Sequence, residues 1–131
     1  DVVLPMRQHR LALVRGIVND EHPRSFVVDT GGEVISISQG TANLLPPLTV
    51  RQVPIRVYGT SGWDEDAYLR PGTKLTFDQL LFRNHSVVVL NLHRPSALLG
   101  FQIGGIVGHR MLKDYRVTLD LTRSVMKLKK L

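Results

Sequence analysis

The sequence predicts an all-β domain closed into a barrel-like sheet, with one or two short helices. Apolar residues come in short runs, as in Ser25-Phe26-Val27-Val28 and Val34-Ile35-Ser36-Ile37. Turn-forming clusters such as Asn19-Asp20-Glu21-His22-Pro23 and Gly59-Thr60-Ser61-Gly62 separate them. The chain has 131 residues, 43% hydrophobic and 21% charged, enough for one core and too few charges for a disordered polymer. Many short strands bury their apolar sides by closing on themselves. No linker or strong repeat interrupts the chain, so residues 1–131 are expected to form a single domain.

Each element has a local reason. Residues 10–19 alternate loosely as a strand, the 19–23 cluster turns, and residues 25–28 return as its partner. After Gly31-Gly32, residues 34–37 form a second short strand. Ser38 is placed to N-cap a short helix through Leu44, which Pro46-Pro47 stops. Residues 53–58 and 66–69 make a hairpin around the Gly59 to Gly62 turn. Arg70-Pro71-Gly72 reads as another turn. Residues 74–82 and 86–92 read as strands around Asn84-His85. Residues 94–104 read as a loop with a helical turn, and 108–114 as a short helix. Residues 117–121 and 125–128 close the chain as a hairpin around Thr122-Arg123.

Composition excludes several classes. Without cysteine there are no disulfides and no thiol chemistry. No apolar run approaches the ~18 residues of a membrane span, so no transmembrane segment is expected in this stretch. A start at Asp1 rather than Met is what an excised domain or a trimmed mature form would show. The net charge of +6 invites an anionic partner, but the basic residues are scattered. Only Lys127-Leu128-Lys129-Lys130 is dense, and aromatic residues are too few for a base-stacking platform. No nucleic-acid partner is expected.

One acid stands out. Asp29 ends the apolar run 25–28 and is followed at once by Thr30-Gly31-Gly32. A carboxylate there is costly to desolvate unless it is hydrogen-bonded or shares a proton. Alone, Asp29-Thr30-Gly31-Gly32 also fits a plain turn with an Asx hydrogen bond. Downstream, Gly105-Ile106-Val107-Gly108 gives a second apolar pair ending in Gly, just before the 108–114 segment. A Gly-containing hairpin lies between the two.

That order resembles the retropepsin-like aspartic proteases of the bacterial single-domain type, over nearly the whole chain. The resemblance implies a closed retropepsin-like barrel that cleaves protein or peptide substrates. By position, Asp29 activates water, Thr30 locks the two active-site loops together, and Gly31 lets backbone approach substrate. The hairpin tip Gly59, Thr60, Ser61, Gly62 and Trp63 is the implied flap, and Gly32 and Glu33 border the cleft. Ile106, Val107 and Gly108 would support the catalytic loop. Gly32 stands where Ala or Ser usually follows, and Glu33, Val34 and Ile35 stand where small hydroxyl residues are usual. Glu33 would put a charge near the cleft.

Hydrolysis by this route needs one carboxylate as general base and a second as proton donor. Two acids about 3 Å apart share one proton. The chain has a single Asp-Thr-Gly and no Asp-Ser-Gly, while Asp114 and Asp120 sit in other contexts. The second Asp is therefore implied to come from a second chain, in a two-fold homodimer. The alternatives are a retropepsin fold that binds peptide or dimerises without cleaving, and a small basic barrel that binds nucleic acid.

The remaining motifs are weaker. His9, His22, His85, His93 and His109 have no HExxH pattern or close ligand pairing, so neither metal nor cofactor is expected. In Gly59-Thr60-Ser61-Gly62-Trp63, Trp63 takes the last Gly position of a nucleophile elbow. Residues 100–108 are Gly-rich but lack dinucleotide spacing. There is no P-loop.

Overall fold

The computed structural model describes residues 2–8, 12–29, 35–48, 53–55, 57–59, 62–64, 67–92, 96, 103–108, 115–120 and 123–131. In chain order the elements are β1 (Val2–Gln8), β2 (Ala12–Val18), β3 (His22–Val28), β4 (Ser36–Ser38), α1 (Gln39–Ala42), β5 (Val53–Pro54) and β6 (Val57–Gly59). They continue with β7 (Gly62–Asp64), β8 (Tyr68–Phe77), β9 (Leu80–Leu90), β10 (Gly105–Val107), β11 (Tyr115–Asp120) and β12 (Val125–Lys130).

Strand pairing runs β2–β3–β10–β4–β9–β8 and then returns from β8 to β2. This circuit is the closure that the sequence predicts. It mixes directions: β10 is parallel to β3 and antiparallel to β4, and β4 is parallel to β9. Outside the circuit, β1, β12 and β11 add a side layer.

The core follows from strand alternation. Val14, Gly16 and Val18 of β2 are buried, while Arg15 and Ile17 between them are exposed. Phe26 and Phe77 meet edge-on with ring centroids 5.0 Å apart, and Phe82 continues the stack at 6.3 Å from Phe77. Gly16 lies under this pair, and a Cβ there would collide with the Phe77 ring. Met126 and Leu128 carry β12 into the same core. A second cluster of Leu13, Val27, Leu92 and Ile103 covers the other side of β2 and β3.

Several elements differ from the sequence reading. β1 is an added strand. Residues 2–5 pair with β12 and residues 6–8 with β2. Pro5 falls where the ladder changes partner, so its missing N–H is tolerated. That same Pro masks the strand in sequence. Arg70-Pro71-Gly72 is not a turn but part of β8, with register shifts on either side of Thr73. Asn84-His85 lies inside β9, and the reversal falls at Asp78-Gln79, where Asp78 adopts a φ of 53°. Asp tolerates that left-handed conformation, so it turns as readily as Asn. The first turn occupies residues 19–21, with Asn19 and Asp20 both at positive φ. Asn19 is also fixed from outside, since its Oδ1 accepts the Lys74 N–H at 2.9 Å. Ser38 caps α1 by accepting the Thr41 N–H at 3.1 Å, and the helix ends at Ala42, short of Leu44. Beyond Gly108, the expected 108–114 helix lies outside the described residues, as does most of the expected 94–104 loop. No helix among the described residues is long and apolar enough to cross a membrane.

Thr73 is 1% exposed, and its Oγ1 has no hydrogen-bond partner among the described residues. An unpaired buried hydroxyl costs about 1–3 kcal/mol, whereas a methyl of the same shape costs nothing comparable. Thr73→Val is expected to leave stability unchanged or raise it by up to about 2 kcal/mol. Urea denaturation checks this, and a clear loss of stability would show that the hydroxyl is satisfied in solution.

Candidate active site

Asp29 is positioned by the strand that precedes it. Phe26 fills the main core, Val27 turns to the second cluster, and Val28 packs against the main core again. An apolar run without polar interruption is what a strand covered on both sides requires. Asp29 is the first residue beyond this double cover, and it is exposed.

β10 lies alongside in parallel, with Phe26 opposite Gly105, Val27 opposite Ile106 and Val28 opposite Val107. The Asp29 N–H donates to the Val107 carbonyl oxygen at 2.9 Å. Gly108, the residue after β10, is buried. The two segments singled out in sequence, ending at Asp29 and beginning at Ile106, are thus hydrogen-bonded neighbours although 77 positions apart in numbering.

The floor beneath them is tied at several points. The Gly104 N–H donates to the Ser25 carbonyl, and the Ser38 N–H to the Gly104 carbonyl, both at 2.8 Å. The Arg24 side chain lies over Gly104. Its Nε donates to Thr41 Oγ1 at 3.1 Å and its Nη1 to the Pro23 carbonyl at 2.7 Å. Thr41 Oγ1 lies 2.8 Å from Ser38 Oγ. Arg24 therefore links β3, β10 and α1.

Gly104 and Gly105 were not among the sequence candidates. Gly105 opens the Gly105-Ile106-Val107-Gly108 segment, and both lie in the Gly-rich run 100–108, where glycines serve close packing. A Cβ on Gly105 would overlap the Ser36 carbonyl oxygen and the Phe26 ring. Backbone cannot yield as a flexible side chain can. Gly105→Ala is expected to destabilise the fold by about 1–3 kcal/mol through overpacking. A urea midpoint equal to that of the parent chain would show that β10 can shift away from β4.

The remaining candidates divide in two. Gly59 ends β6, and Gly62 and Trp63 begin β7. Gly59 pairs with Gly62 and Tyr58 with Trp63, so the strands converge on a narrow tip. Below them, Val53 pairs with Leu69 and Pro54 with Tyr68, and the Ile55 N–H donates to the Ala67 carbonyl at 3.0 Å. Pair numbers sum to 122 at the base and 121 at the tip, a one-residue register slip between them. Thr30, Gly31, Gly32, Glu33, Thr60 and Ser61 lie outside the described residues. Among the described residues no cluster of three or more His, Cys, Asp or Glu is arranged to hold a metal.

The family model described as aspartyl protease matches residues 14–108, which begin in β2 and end just past β10. No curated protein matches in sequence. The chain is similar in fold to a retropepsin-like aspartic protease from Rickettsia conorii, with a TM-score of 0.65 at 18% identity. That match covers 97% of this chain and 88% of the other. It is also similar to the EIAV protease complexed with the inhibitor HBY-793, with a TM-score of 0.59 at 16% identity over 82% of this chain and 90% of that one. Its fold is retropepsin-like, and the chain belongs to the aspartyl protease family.

Proposed function

We propose that this protein is an aspartic endopeptidase whose active form is a homodimer, each chain contributing Asp29 to one shared site. The observation that carries this reading is the placement of Asp29. It is an exposed acid at the end of a strand buried on both sides, held through its own N–H by Val107. General acid–base catalysis asks for that combination, a carboxylate reachable by water and substrate on backbone that does not move.

In this reading one Asp29 carboxylate takes a proton from water. The carboxyl of the other donates a proton to the peptide carbonyl as the water oxygen adds to the carbonyl carbon. The tetrahedral intermediate then breaks its C–N bond, and the proton taken from water passes to the departing amine. The shared proton requires the two groups to face each other, which a two-fold axis provides. Thr30 and Gly31 are assigned to the loop–loop grip and the backbone approach. Gly32 and Glu33 are assigned to the cleft wall. Ile106, Val107 and Gly108 act as the support under the Asp29 loop. The hairpin rooted at Val53 and Leu69 serves as the flap, with Gly59, Thr60, Ser61, Gly62 and Trp63 at its tip. Its narrow pairing and bracketing glycines suit a segment that opens and closes over peptide.

Asp29→Asn tests the assignment. The change is isosteric and removes only ionisation, so cleavage of an unfolded protein substrate is expected to fall to background while the fold persists by circular dichroism. Unchanged peptidase activity in the purified variant would remove Asp29 from the chemistry.

The dimer has its own test. Mixing wild type with an excess of the Asp29→Asn chain is expected to depress activity by forming mixed pairs, and specific activity is expected to fall on dilution. A chain that keeps full specific activity as a monomer on dilution contradicts a shared site.

A further inference from the structure

We propose that the cavity between loop 43–48 and the root of the hairpin binds an organic carboxylate, gripped by Arg70. The cavity has a volume of about 350 Å³ and is walled by Asn43, Leu45, Pro46, Leu48, Tyr68 and Arg70, among others. That volume falls at the lower end of the range of small-molecule sites, about 300–1,000 Å³.

The argument starts from charge. Arg70 is 8% exposed, so its guanidinium is largely withdrawn from water. A buried cation is costly unless it is paired. Its one hydrogen-bond partner among the described residues is neutral: Nη2 donates to the Pro46 carbonyl oxygen. No carboxylate among the described residues pairs with it. A guanidinium carries five N–H donors in a flat fork, and one such bond leaves most of them unused. The described walls hold no acidic residue, so among the described residues nothing compensates the Arg70 charge.

The walls then select the ligand. The lining exposes more polar than apolar surface, and Pro46, Pro47 and Leu48 supply apolar side chains beside Asn43, Tyr68 and Arg70, which suits a small body that is only partly hydrocarbon. The fork of Arg70 matches a planar carboxylate through two parallel hydrogen bonds. A carboxylate on a small, partly hydrocarbon body satisfies both features. It has two possible sources: a free organic acid, or the C-terminal carboxylate of a peptide ending in an apolar residue. The inference stands on the cavity and its charge alone and does not depend on proteolysis.

The site also has a consequence for the hairpin. Arg70 directly follows Leu69, which pairs with Val53 at the hairpin base. An anion on Arg70 therefore sits at the root of the segment whose tip carries Trp63.

The test is an NMR titration of the full chain with isovalerate, N-acetyl-leucine and the neutral amide of each. Saturable shifts at Arg70, Asn43 and Tyr68 with an acid, and none with its amide, are expected. Binding by N-acetyl-leucine alone identifies the peptide terminus, and equal binding by isovalerate identifies the free acid. Arg70→Gln is expected to weaken binding about tenfold or more. Leu48→Trp, which fills the cavity and spares the charge, should block binding even if Arg70→Gln does not fold. Amides that bind as well as acids, no shift at these residues, or acid binding undiminished in Leu48→Trp would overturn the proposal and leave Arg70 as a pin for loop 43–48.

Discussion

A carboxylate holds a fixed position on a protein surface only if the backbone beneath it is fixed. Here that constraint is the parallel pairing of β3 with β10, which sets Phe26, Val27 and Val28 against Gly105, Ile106 and Val107. It brings together two segments far apart in the chain, and nothing local could join them. The loop-closure entropy of such a contact must be offset by burial. Phe26 and Val107, both 0% exposed, and Val27, 8% exposed, supply that burial on the two sides of the sheet. Once this pairing forms, the hydrogen bond from the Asp29 N–H to Val107 follows from the register.

The same pairing explains why small residues crowd one stretch. β10 lies between β3 and β4, parallel to one and antiparallel to the other. Gly105 leaves no room for a side chain between Ser36 and Phe26, and Gly104 lies beneath the Arg24 stem. Arg24 then spans to Thr41, so that the helix cap at Ser38 and the floor of the candidate site are one connected network. Function assigned to Asp29 thus rests on residues with no chemistry of their own.

The described strands fall into a closed circuit and a hairpin that extends from it. The six-strand circuit packs around Phe26, Phe77 and Leu75. The hairpin leaves it at Val53 and Leu69 and is held beyond that by its own two strands. Arg70 stands where the two parts meet, with its charge drawn into the protein and bonded to the loop at Pro46.

Much of this was legible in the chain itself. Alternation and turn residues determined an all-β fold, and the Asp29-Thr30-Gly31 and Ile106-Val107-Gly108 segments pointed to the family, because both signals are local. The Ser38 cap was readable for the same reason. Four things needed the tertiary structure. β1 was hidden by Pro5, which is harmless only because the ladder switches from β12 to β2 at that residue. Arg70-Pro71-Gly72 looks like a turn, yet it continues β8, because long-range pairing with β9 outweighs local turn preference. The tie between Asp29 and Val107, and the burial of Arg70 beside a cavity, have no sequence signature, since each depends on which distant segments the closed sheet brings into contact.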